Sequence, residues 1–354
     1  MSIYLHSIQI GVLLFFVFLL LALIPYLIIQ YRRYGHVNSW RFFVNFSFVL
    51  YLICAYAMTI FPLPPVEEVA QMTGPKQNLI PFEFVKQFML YSPFRWDDPS
   101  TWLAGLKNFT FIQPFFNLLL TLPFGLYLRY LFQRTFKQTL ILSFLLTLSF
   151  ELLQRSALLG LYPRPYRLFD VDDLMINTVG SLVGFGFAVL FSRFLPDLEA
   201  TYFPSSRVSL LRRFTALLVD VFLISIVGIF LPQPYVAQAV LLLLIPILFK
   251  ATLGQMVLKI KIDGKNRFRV LIRQILFCVS FIPVGLEGYF LERSGTIPHE
   301  QLAQNYLLIL LFLALMILPL FDLLVASFSK TRRLWYERIS GTQIISQINL
   351  RKED

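Results

Sequence analysis

Apolar residues along this chain form long runs that short polar segments separate. Each run approaches the ~20 residues that an α-helix needs to cross a ~30 Å hydrocarbon core. The pattern predicts about nine spans of this kind, some of them short or interrupted by proline. The predicted spans lie at about 10–30, 41–61, 110–132, 138–158, 173–192, 213–231, 234–250, 271–290 and 304–327. The expected fold class is therefore an all-α polytopic integral membrane protein.

Composition agrees with this interpretation. Hydrophobic residues make up 57% of the 354 residues and charged residues only 14%, whereas about a quarter of the residues in a soluble domain are charged. Cys54 and Cys278 both fall inside predicted spans, so we expect two apolar side chains rather than a disulfide or a zinc site. The first run lacks a basic leader and a small-residue cleavage site, which predicts a retained membrane anchor.

The distribution of charge predicts the orientation. The formal net charge is +11, from 31 basic and 20 acidic residues. Most of the Lys and Arg residues lie in alternate loops, for example between Lys250 and Arg273, and loops of this kind remain on the cytoplasmic side. We therefore expect the N-terminus outside and the C-terminus inside. Because these charges flank spans and would face anionic lipid, we expect membrane lipid as a partner and no nucleic acid.

A long polar stretch divides the predicted spans into two groups. It contains Pro196 and Pro204, which break regular secondary structure. We place a domain boundary near Ser205. The first domain, over 1–204, then holds the first five predicted spans, and the second, over 205–354, holds the other four.

The loop over residues 62–108 is predicted to lie outside, and it is long enough to fold over the membrane face. Residues 81–90 alternate aromatic and polar side chains, which is typical of a short interfacial helix. Trp96 and Trp102 favour the level of the lipid headgroups. The loop is then either a plain interfacial lid or a surface that contacts a substrate.

One segment of the second half has a β pattern. Apolar and basic residues alternate on either side of Asp263 and Gly264. Asp-Gly between alternating runs indicates a hairpin, because both residues tolerate the positive φ of the turn. We predict a small cytoplasmic β-hairpin near 256–270, to which residues 341–345 could add a third strand.

Charged and amide side chains meet at the predicted outer ends of the fourth and fifth spans. Carboxylates are expensive at a membrane boundary and are usually kept there for a function. Acids in the first turn of a helix also interact favourably with the helix dipole, so simple capping is the alternative explanation. We expect an ion pair between Arg167 and Asp170. The predicted outward-facing polar site consists of Glu151, Gln154, Arg167, Asp170, Asp172, Asp173 and Asn177.

The fifth span also carries two glycines about one helical turn apart. Gly180 and Gly184 form a G-x-x-x-G pair, which lets a neighbouring helix approach closely. They share a helix face with Asp173 and Asn177. The third span supplies polar or bent positions that could face the same site, namely Asn117, Pro123 and Gly125.

At these residues the sequence resembles the VanZ-like family over residues 1–193. Four blocks in the family's order carry the resemblance: Q-N-L-I-P-F at 77–82, N-L-L-L-T-L-P-F-G at 117–125, S-F-E-L-L-Q at 149–154 and R-L-F-D-V-D-D-L-M-I-N-T-V-G at 167–180. For the founding member, the resemblance implies low-level resistance to the lipoglycopeptide teicoplanin. It also implies an outward-facing polar site formed by Glu151, Gln154, Arg167, Asp170, Asp173 and Asn177.

The second half resembles an RDD-type membrane domain over about 206–348. The matching blocks are R-R-F-T-A-L-L-V-D at 212–220, L-G-Q-M-V-L-K-I-K-I-D-G-K at 253–265 and R-L-W-Y-E-R-I-S-G-T at 333–342. Where that family usually has an aspartate, this chain has Glu337, which keeps the charge on a longer arm. The resemblance implies a transport or accessory module. An arginine partner is expected for each buried acid of this half, and its charges of interest are Arg213, Asp220, Asp322 and Glu337.

Three classes of function are compatible with these features. The favoured one is binding or handling of an amphipathic molecule at the outer leaflet of a bacterial cytoplasmic membrane, such as a lipid-linked cell-wall intermediate or a lipoglycopeptide. A transporter could relay protons through Asp220, Asp322 and Glu151, although no inverted repeat is visible. An enzyme could use paired carboxylates as general acid and base, although no familiar hydrolase or phosphate-loop motif is present. No cofactor or metal is expected, and the oligomeric state is open.

Overall fold

The computed structural model describes residues 2–198, 208–231, 233–279, 321–329 and 332–348. The chain forms two compact units, of which the first comprises Met1–Leu21 and Asn38–Ala200. The second comprises Ala22–Val37 and Thr201–Asp354, so the first helix contributes residues to both. The predicted boundary near Ser205 lies outside the described residues.

The first unit consists of helices and one short parallel pair of strands. In chain order its elements are α1 (Ser2–Tyr34), α2 (Ser39–Ile60), α3 (Val66–Gln71), β1 (Gln77–Asn78), α4 (Glu83–Tyr91), α5 (Trp102–Leu106), α6 (Phe109–Tyr130), α7 (Phe136–Arg155), α8 (Ala157–Gly160), β2 (Phe169–Asp170) and α9 (Val171–Phe191). Five of them, α1, α2, α6, α7 and α9, are long and apolar enough to cross a membrane. These five helices coincide with the first five predicted spans.

Side-chain caps set the starts of the long helices after α1. Short polar side chains accept hydrogen bonds from first-turn amides that have no partner within the helix. The capping residues of α2, α6, α7 and α9 are Asn38, Asn108, Thr135 and Asp170. Helix α6 continues through Pro114 and Pro123, as membrane helices often do. Helix α9 packs most extensively on α6 and also contacts α7.

The second unit combines helices with an antiparallel pair of strands. Its elements are α10 (Leu210–Ile229), α11 (Pro234–Ala239), α12 (Ile245–Phe249), α13 (Leu253–Val257), β3 (Ile260–Asp263), α14 (Arg267–Val279), α15 (Trp335–Ser340) and β4 (Gln343–Ser346). A π-helical stretch, Val240–Leu244, joins α11 to α12. Residues 321–328, before α15, are also helical.

The core of the second unit forms where β3 meets the end of α1. Ile260 and Ile262 point inward from β3, while Lys261 and Asp263 point outward. Buried side chains that pack together here include Leu27 and Tyr31 of α1, together with Val208, Ala216, Leu258 and Ile344. The alternation along β3 is that of a strand with one buried face.

The predicted β-hairpin is wrong in its second arm. After β3 the chain enters α14, whose start is capped by Asn266 accepting from the Arg269 N–H at 3.0 Å. Strand β3 pairs instead with β4, with Ile260 opposite Ser346 and Asp263 opposite Gln343. The segment after Asp263 forms an amphipathic helix because its buried positions, Val270, Arg273 and Gln274, recur at helical spacing.

The remaining predicted spans are matched only in part. Helix α10 has the length of a span but includes Arg212, Arg213 and Asp220. The apolar helix Val236–Phe249 is shorter than a full span. Most of the predicted spans at 271–290 and 304–327 lies outside the described residues. The total of nine spans and the predicted orientation therefore stay predictions.

Candidate functional site

Asp170 fixes the start of α9 and connects it to the outer loop. Its Oδ1 accepts from the Asp172 N–H at 2.9 Å, an N-cap that also suits the helix dipole. Since β2 pairs with β1, Asn78 lies opposite Asp170, and its amide nitrogen donates to both carboxylate oxygens at 3.3 and 3.4 Å. Burial, with the negative charges of Asp172 and Glu83 nearby, raises the pKa of Asp170.

Asp172 caps a second helix. Its side chain is buried, and it accepts from the Phe82 N–H at 2.6 Å and from the Phe84 N–H at 2.9 Å. These amides lie at the start of α4, where Phe82 has a φ of 65° and supplies no side-chain cap of its own. Asp172 therefore satisfies amides that would otherwise lack a partner, and it holds α4 beside α9.

Glu151 and Asp173 bring two more carboxylates to the same place. Asp173 Oδ1 accepts from the Asn117 amide nitrogen of α6 at 2.7 Å. Glu151, at the end of α7, is only 2% exposed, and its Oε2 accepts from the Asp170 N–H at 2.9 Å. Glu151 also lies within electrostatic range of both Asp170 and Asp173. Acids that belong to separate helices in the sequence thus form one cluster.

Asn177 lies one helical turn beyond Asp173, on the same face of α9. Its side chain is only 4% exposed, and its Oδ1 has no hydrogen-bond partner within the described residues. The backbone carbonyl of Asn177 accepts from the Thr121 hydroxyl of α6 at 2.6 Å. An unpartnered buried acceptor is uncommon in a folded protein, so this oxygen calls for an explanation.

The expected ion pair between Arg167 and Asp170 is wrong. Arg167 instead donates to the carbonyls of Met58 at 3.5 Å and Phe61 at 2.9 Å, at the end of α2. The Gln154 amide nitrogen donates to another carbonyl of the same turn at 3.2 Å. The last carbonyls of a helix lack internal partners and carry partial negative charge, so they attract the guanidinium. Within the described residues Arg167 has no carboxylate within 4.0 Å, but it lies within electrostatic range of Glu151 and Asp173.

Three glycines hold α6 and α9 in backbone contact. A Cβ atom at Gly125, Gly180 or Gly184 would lie 1.6, 2.2 or 1.8 Å from a carbonyl oxygen of the facing helix. A side chain at any of them would force the helices apart. This contact places Asn117 of α6 within hydrogen-bond distance of Asp173 of α9.

An apolar cavity of about 640 Å³ lies beside the polar cluster. Its volume falls in the range of small-molecule sites. Aromatic and aliphatic side chains of α4, α6, α9 and the outer loop form its wall, and Thr110 supplies the sole hydroxyl among the described lining residues. Phe82 and Phe84, whose amides bind Asp172, belong to this wall, as does Trp96, which is 73% exposed. The cavity is therefore open to its surroundings and adjoins the polar cluster.

The second unit contains a buried ion-pair network. Glu337 is fully buried, and Arg213 Nη1 donates to its Oε2 at 2.7 Å. Arg273 Nη2 lies 3.6 Å from the other oxygen, Oε1. Asp322 forms the expected pair with an arginine, Arg338. Two arginines thus share one carboxylate.

Within the described residues, Asp220 does not have the arginine partner that was expected. Its carboxylate accepts from the Thr252 hydroxyl at 2.6 Å and from the Gly254 N–H at 2.6 Å. These groups begin α13, so hydrogen bonds from the start of that helix take the place of an arginine. Gly254 permits this contact because a Cβ atom there would lie 2.0 Å from the Ala216 carbonyl oxygen.

Sequence reasoning missed Asn78, Thr121 and Arg273. Asn78 lies in the block Q-N-L-I-P-F, so its place in a motif was a usable signal. Arg273 was counted only as a cytoplasmic charge, and a long-range contact with Glu337 leaves no trace in local spacing. The two amides that bind Asp172 are backbone groups, which residue identity does not reveal.

Residues 48–192 match the model of the family described as VanZ/LLP1. The matched range includes the acids, amides and glycines of the first-unit cluster and the described wall of the apolar cavity. Comparisons with curated proteins and with solved structures find no match. Fold and match together define a membrane protein with a VanZ-like region, and the RDD-type resemblance of the second half stays a prediction.

Proposed function

We propose that the VanZ-like unit binds an amphipathic molecule of the cell envelope at the outer leaflet of a bacterial cytoplasmic membrane. This proposal is supported by one observation, that the polar cluster and the apolar cavity share a wall. The segment at Phe82 and Phe84 gives its amides to Asp172 and its rings to the cavity. A molecule with an apolar end in the cavity could place its polar end near the cluster.

The class of ligand follows from the size and composition of the cavity. A volume of about 640 Å³ with an almost entirely apolar wall fits a hydrocarbon chain or another apolar moiety rather than a sugar or a peptide alone. Candidate ligands are a lipid-linked cell-wall intermediate and a lipoglycopeptide. If the ligand is a lipoglycopeptide, the VanZ-like resemblance suggests low-level teicoplanin resistance as the phenotype.

The site faces outward in this proposal. Lys and Arg prevail in the loops on the opposite side of the predicted spans, including the segment between Lys250 and Arg273. The second half would then serve the first as an RDD-type accessory module, with the Arg213–Glu337 pair as part of its internal framework.

Binding is tested with the whole chain in lipid nanodiscs and fluorescently labelled teicoplanin as the probe. Val179→Trp should abolish binding because Val179 lines the cavity and the larger ring would fill it. Val183→Trp is the matched control, since Val183 is also an exposed valine of α9 but is not part of the cavity wall. Equal binding by both variants and by the unsubstituted protein would contradict the assignment of this cavity.

The phenotype is tested in a sensitive Gram-positive host with membrane levels matched by quantitative blot. Glu151→Gln, Arg167→Ala and Asp173→Asn should each reduce protection against teicoplanin while susceptibility to vancomycin stays unchanged. Glu67→Gln, which changes an exposed acid of α3, should behave like the unsubstituted protein. Loss of protection in the control as well would point to expression or folding rather than to the site.

A further inference from the structure

The second unit contains a cavity of about 240 Å³ that the proposed function does not use. Its wall comes from α10, α13, α14, α15, β4 and the helix at residues 321–328, all of which belong to the second unit. Each of the three blocks that carry the RDD-type resemblance contributes to this wall, for example through Arg213, Gln255 and Tyr336. Separate parts of the second half therefore meet around one cavity, whose size suits a small ligand.

The wall of this cavity combines an apolar surface with a few charges. Phe214, Phe277 and Trp335 supply aromatic rings, and leucine side chains supply much of the remaining surface. The charged residues of the described wall are Arg213, Asp220, Arg273 and Asp322. A ligand that fills the cavity should therefore carry an apolar body as well as a polar group.

The arginines of the wall outnumber the acids that pair with them. Arg213 and Arg273 share the carboxylate of Glu337, at 2.7 and 3.6 Å. Asp322 forms its ion pair with Arg338. In the described part of the unit, three arginines thus meet two carboxylates. One buried positive charge is left without a carboxylate of its own, which is costly unless a further anion is bound.

Both wall arginines also have an unused hydrogen-bond donor. The Nε atoms of Arg213 and Arg273 are buried and have no partner in the described ranges. The Arg273 side chain is almost fully buried, and its guanidinium lies 5.1 Å from the centre of the Tyr336 ring, which also lines the cavity. Its contact of 3.6 Å with Glu337 is too long for a hydrogen bond. The guanidinium of Arg273 can therefore take a closer acceptor.

Asp220, the remaining acid of the wall, does not cancel this surplus. Its carboxylate accepts from the Thr252 hydroxyl and from the Gly254 N–H, at 2.6 Å each. No arginine is among the described groups that act on it electrostatically. The negative charge of Asp220 is therefore stabilised at the start of α13, apart from the arginines.

We infer that this cavity binds a small organic carboxylate, with the carboxylate at Arg213 and Arg273 and an apolar body against the aromatic wall. The inference goes beyond the proposed function, because it gives the second unit a binding site of its own. A guanidinium presents parallel N–H donors that match the two oxygens of a carboxylate. An ammonium group would meet the surplus positive charge and be repelled.

The experiment measures quenching of Trp335 by iodinated aromatic probes. The protein carries Trp40→Phe, Trp96→Phe and Trp102→Phe, so emission comes from the tryptophan in the wall of this cavity. It is reconstituted whole in phosphatidylcholine nanodiscs at neutral pH. The probes are 4-iodobenzoate, 4-iodobenzylammonium and 4-iodobenzyl alcohol, which share an iodinated ring and carry a negative, a positive or no charge.

The expected result is half-maximal quenching by 4-iodobenzoate at a concentration about tenfold or more below that of either other probe, the size of one charge-assisted hydrogen bond. Partition into lipid cannot produce this order, because the neutral alcohol enters the bilayer more readily than the carboxylate does.

Two pairs of variants locate the carboxylate. Arg273→Gln should remove most of the preference, because Arg213 and Glu337 then remain as a balanced pair, and Arg273→Lys should retain part of it. Arg267→Gln is the matched control, since it changes an exposed arginine of the same helix. Leu217→Tyr should weaken quenching by 4-iodobenzoate because the larger ring enters the cavity. Leu218→Tyr should not, since Leu218 is a half-buried leucine outside the described wall.

Three outcomes would overturn the inference. The first is equal quenching by the three probes, or strongest quenching by the ammonium or the alcohol. The second is a carboxylate preference that survives both Arg273→Gln and Leu217→Tyr in proteins with normal thermal unfolding, because the anion would then bind elsewhere. The third is no quenching of Trp335 by any probe. None of them bears on the proposed function, because its cavity lies in the first unit.

Discussion

Replacing Gly125 with alanine should separate the two helices that carry the polar cluster. The new Cβ would lie 1.6 Å from the Ser181 carbonyl oxygen and 2.8 Å from the Phe185 nitrogen. Both neighbours are backbone atoms, so no side chain can rotate out of the way. Ordinary contact begins at 3.4 Å, which means that α6 and α9 must part by about 2 Å at this point.

The energetic consequence follows from what this separation breaks. The Thr121 hydroxyl donates to the Asn177 carbonyl at 2.6 Å, and the Ser181 hydroxyl donates to the Thr121 carbonyl at 3.2 Å. Each interhelical hydrogen bond in a membrane contributes about 0.6 kcal/mol, and overpacking costs about 1–3 kcal/mol. The free energy of unfolding should therefore fall by about 2–4 kcal/mol.

The assay is unfolding in mixed micelles with increasing denaturing detergent, followed by loss of helical circular dichroism. Gly186→Ala is the matched control, because Gly186 lies on α9, the helix that faces Gly125, and a Cβ there would meet nothing within 4 Å. The control should be neutral or stabilising by up to about 1 kcal/mol, since alanine favours the helix. Equal unfolding curves for Gly125→Ala and Gly186→Ala would refute the claim that backbone contact holds these helices together.

Three further predictions concern individual charges. Asp172→Asn removes one of two acceptors at the start of α4, so hydrogen exchange should accelerate at the amide of Phe82 or of Phe84, and unchanged protection of both would contradict the cap. Glu337→Gln removes the carboxylate that two buried arginines share, and detergent-induced unfolding should show a loss of about 3–5 kcal/mol. A near-neutral effect would mean that the network contributes little. The pKa of Asp170 is raised above its ordinary value of 3.8, so its ionised form is disfavoured in the folded state. Stability relative to Asp170→Asn should therefore be highest at acid pH and decline as pH rises through 3.8 and then through the raised value, and a pH-independent difference would contradict this.

The long helices of the first unit were predictable because membrane crossing requires a run of apolar residues that any reader of the sequence can count. The second unit was harder. Helix α10 carries Arg212, Arg213 and Asp220, and α14 is amphipathic rather than uniformly apolar. The residues after Asp263 fit both the two-residue period of a strand and the 3.6-residue period of a helix. They form a helix because Asn266 caps its start and because β4 takes the place beside β3.

The site was predictable as a set of residues and not as a set of contacts. Acids beside an apolar run are visible in the sequence, whereas partner choice depends on which backbone groups lack hydrogen bonds in the folded chain. Arg167 was expected at a carboxylate and donates to the carbonyls of α2. Asp220 was expected at an arginine and binds the start of α13. In both cases a helix terminus, which sequence spacing does not locate in space, supplied the competing partner.

The capping explanation and the functional explanation of the acids both apply, but to different residues. Asp170 caps α9 and Asp172 caps α4, so each is accounted for by hydrogen bonds that hold the fold. Glu151 and Asp173 each bind a single donor within the described residues, and neither caps its own helix. Both acids lie within electrostatic range of Arg167, but neither forms an ion pair with it. These two acids cap nothing, so neutralising them should affect the binding proposed above more than it affects folding.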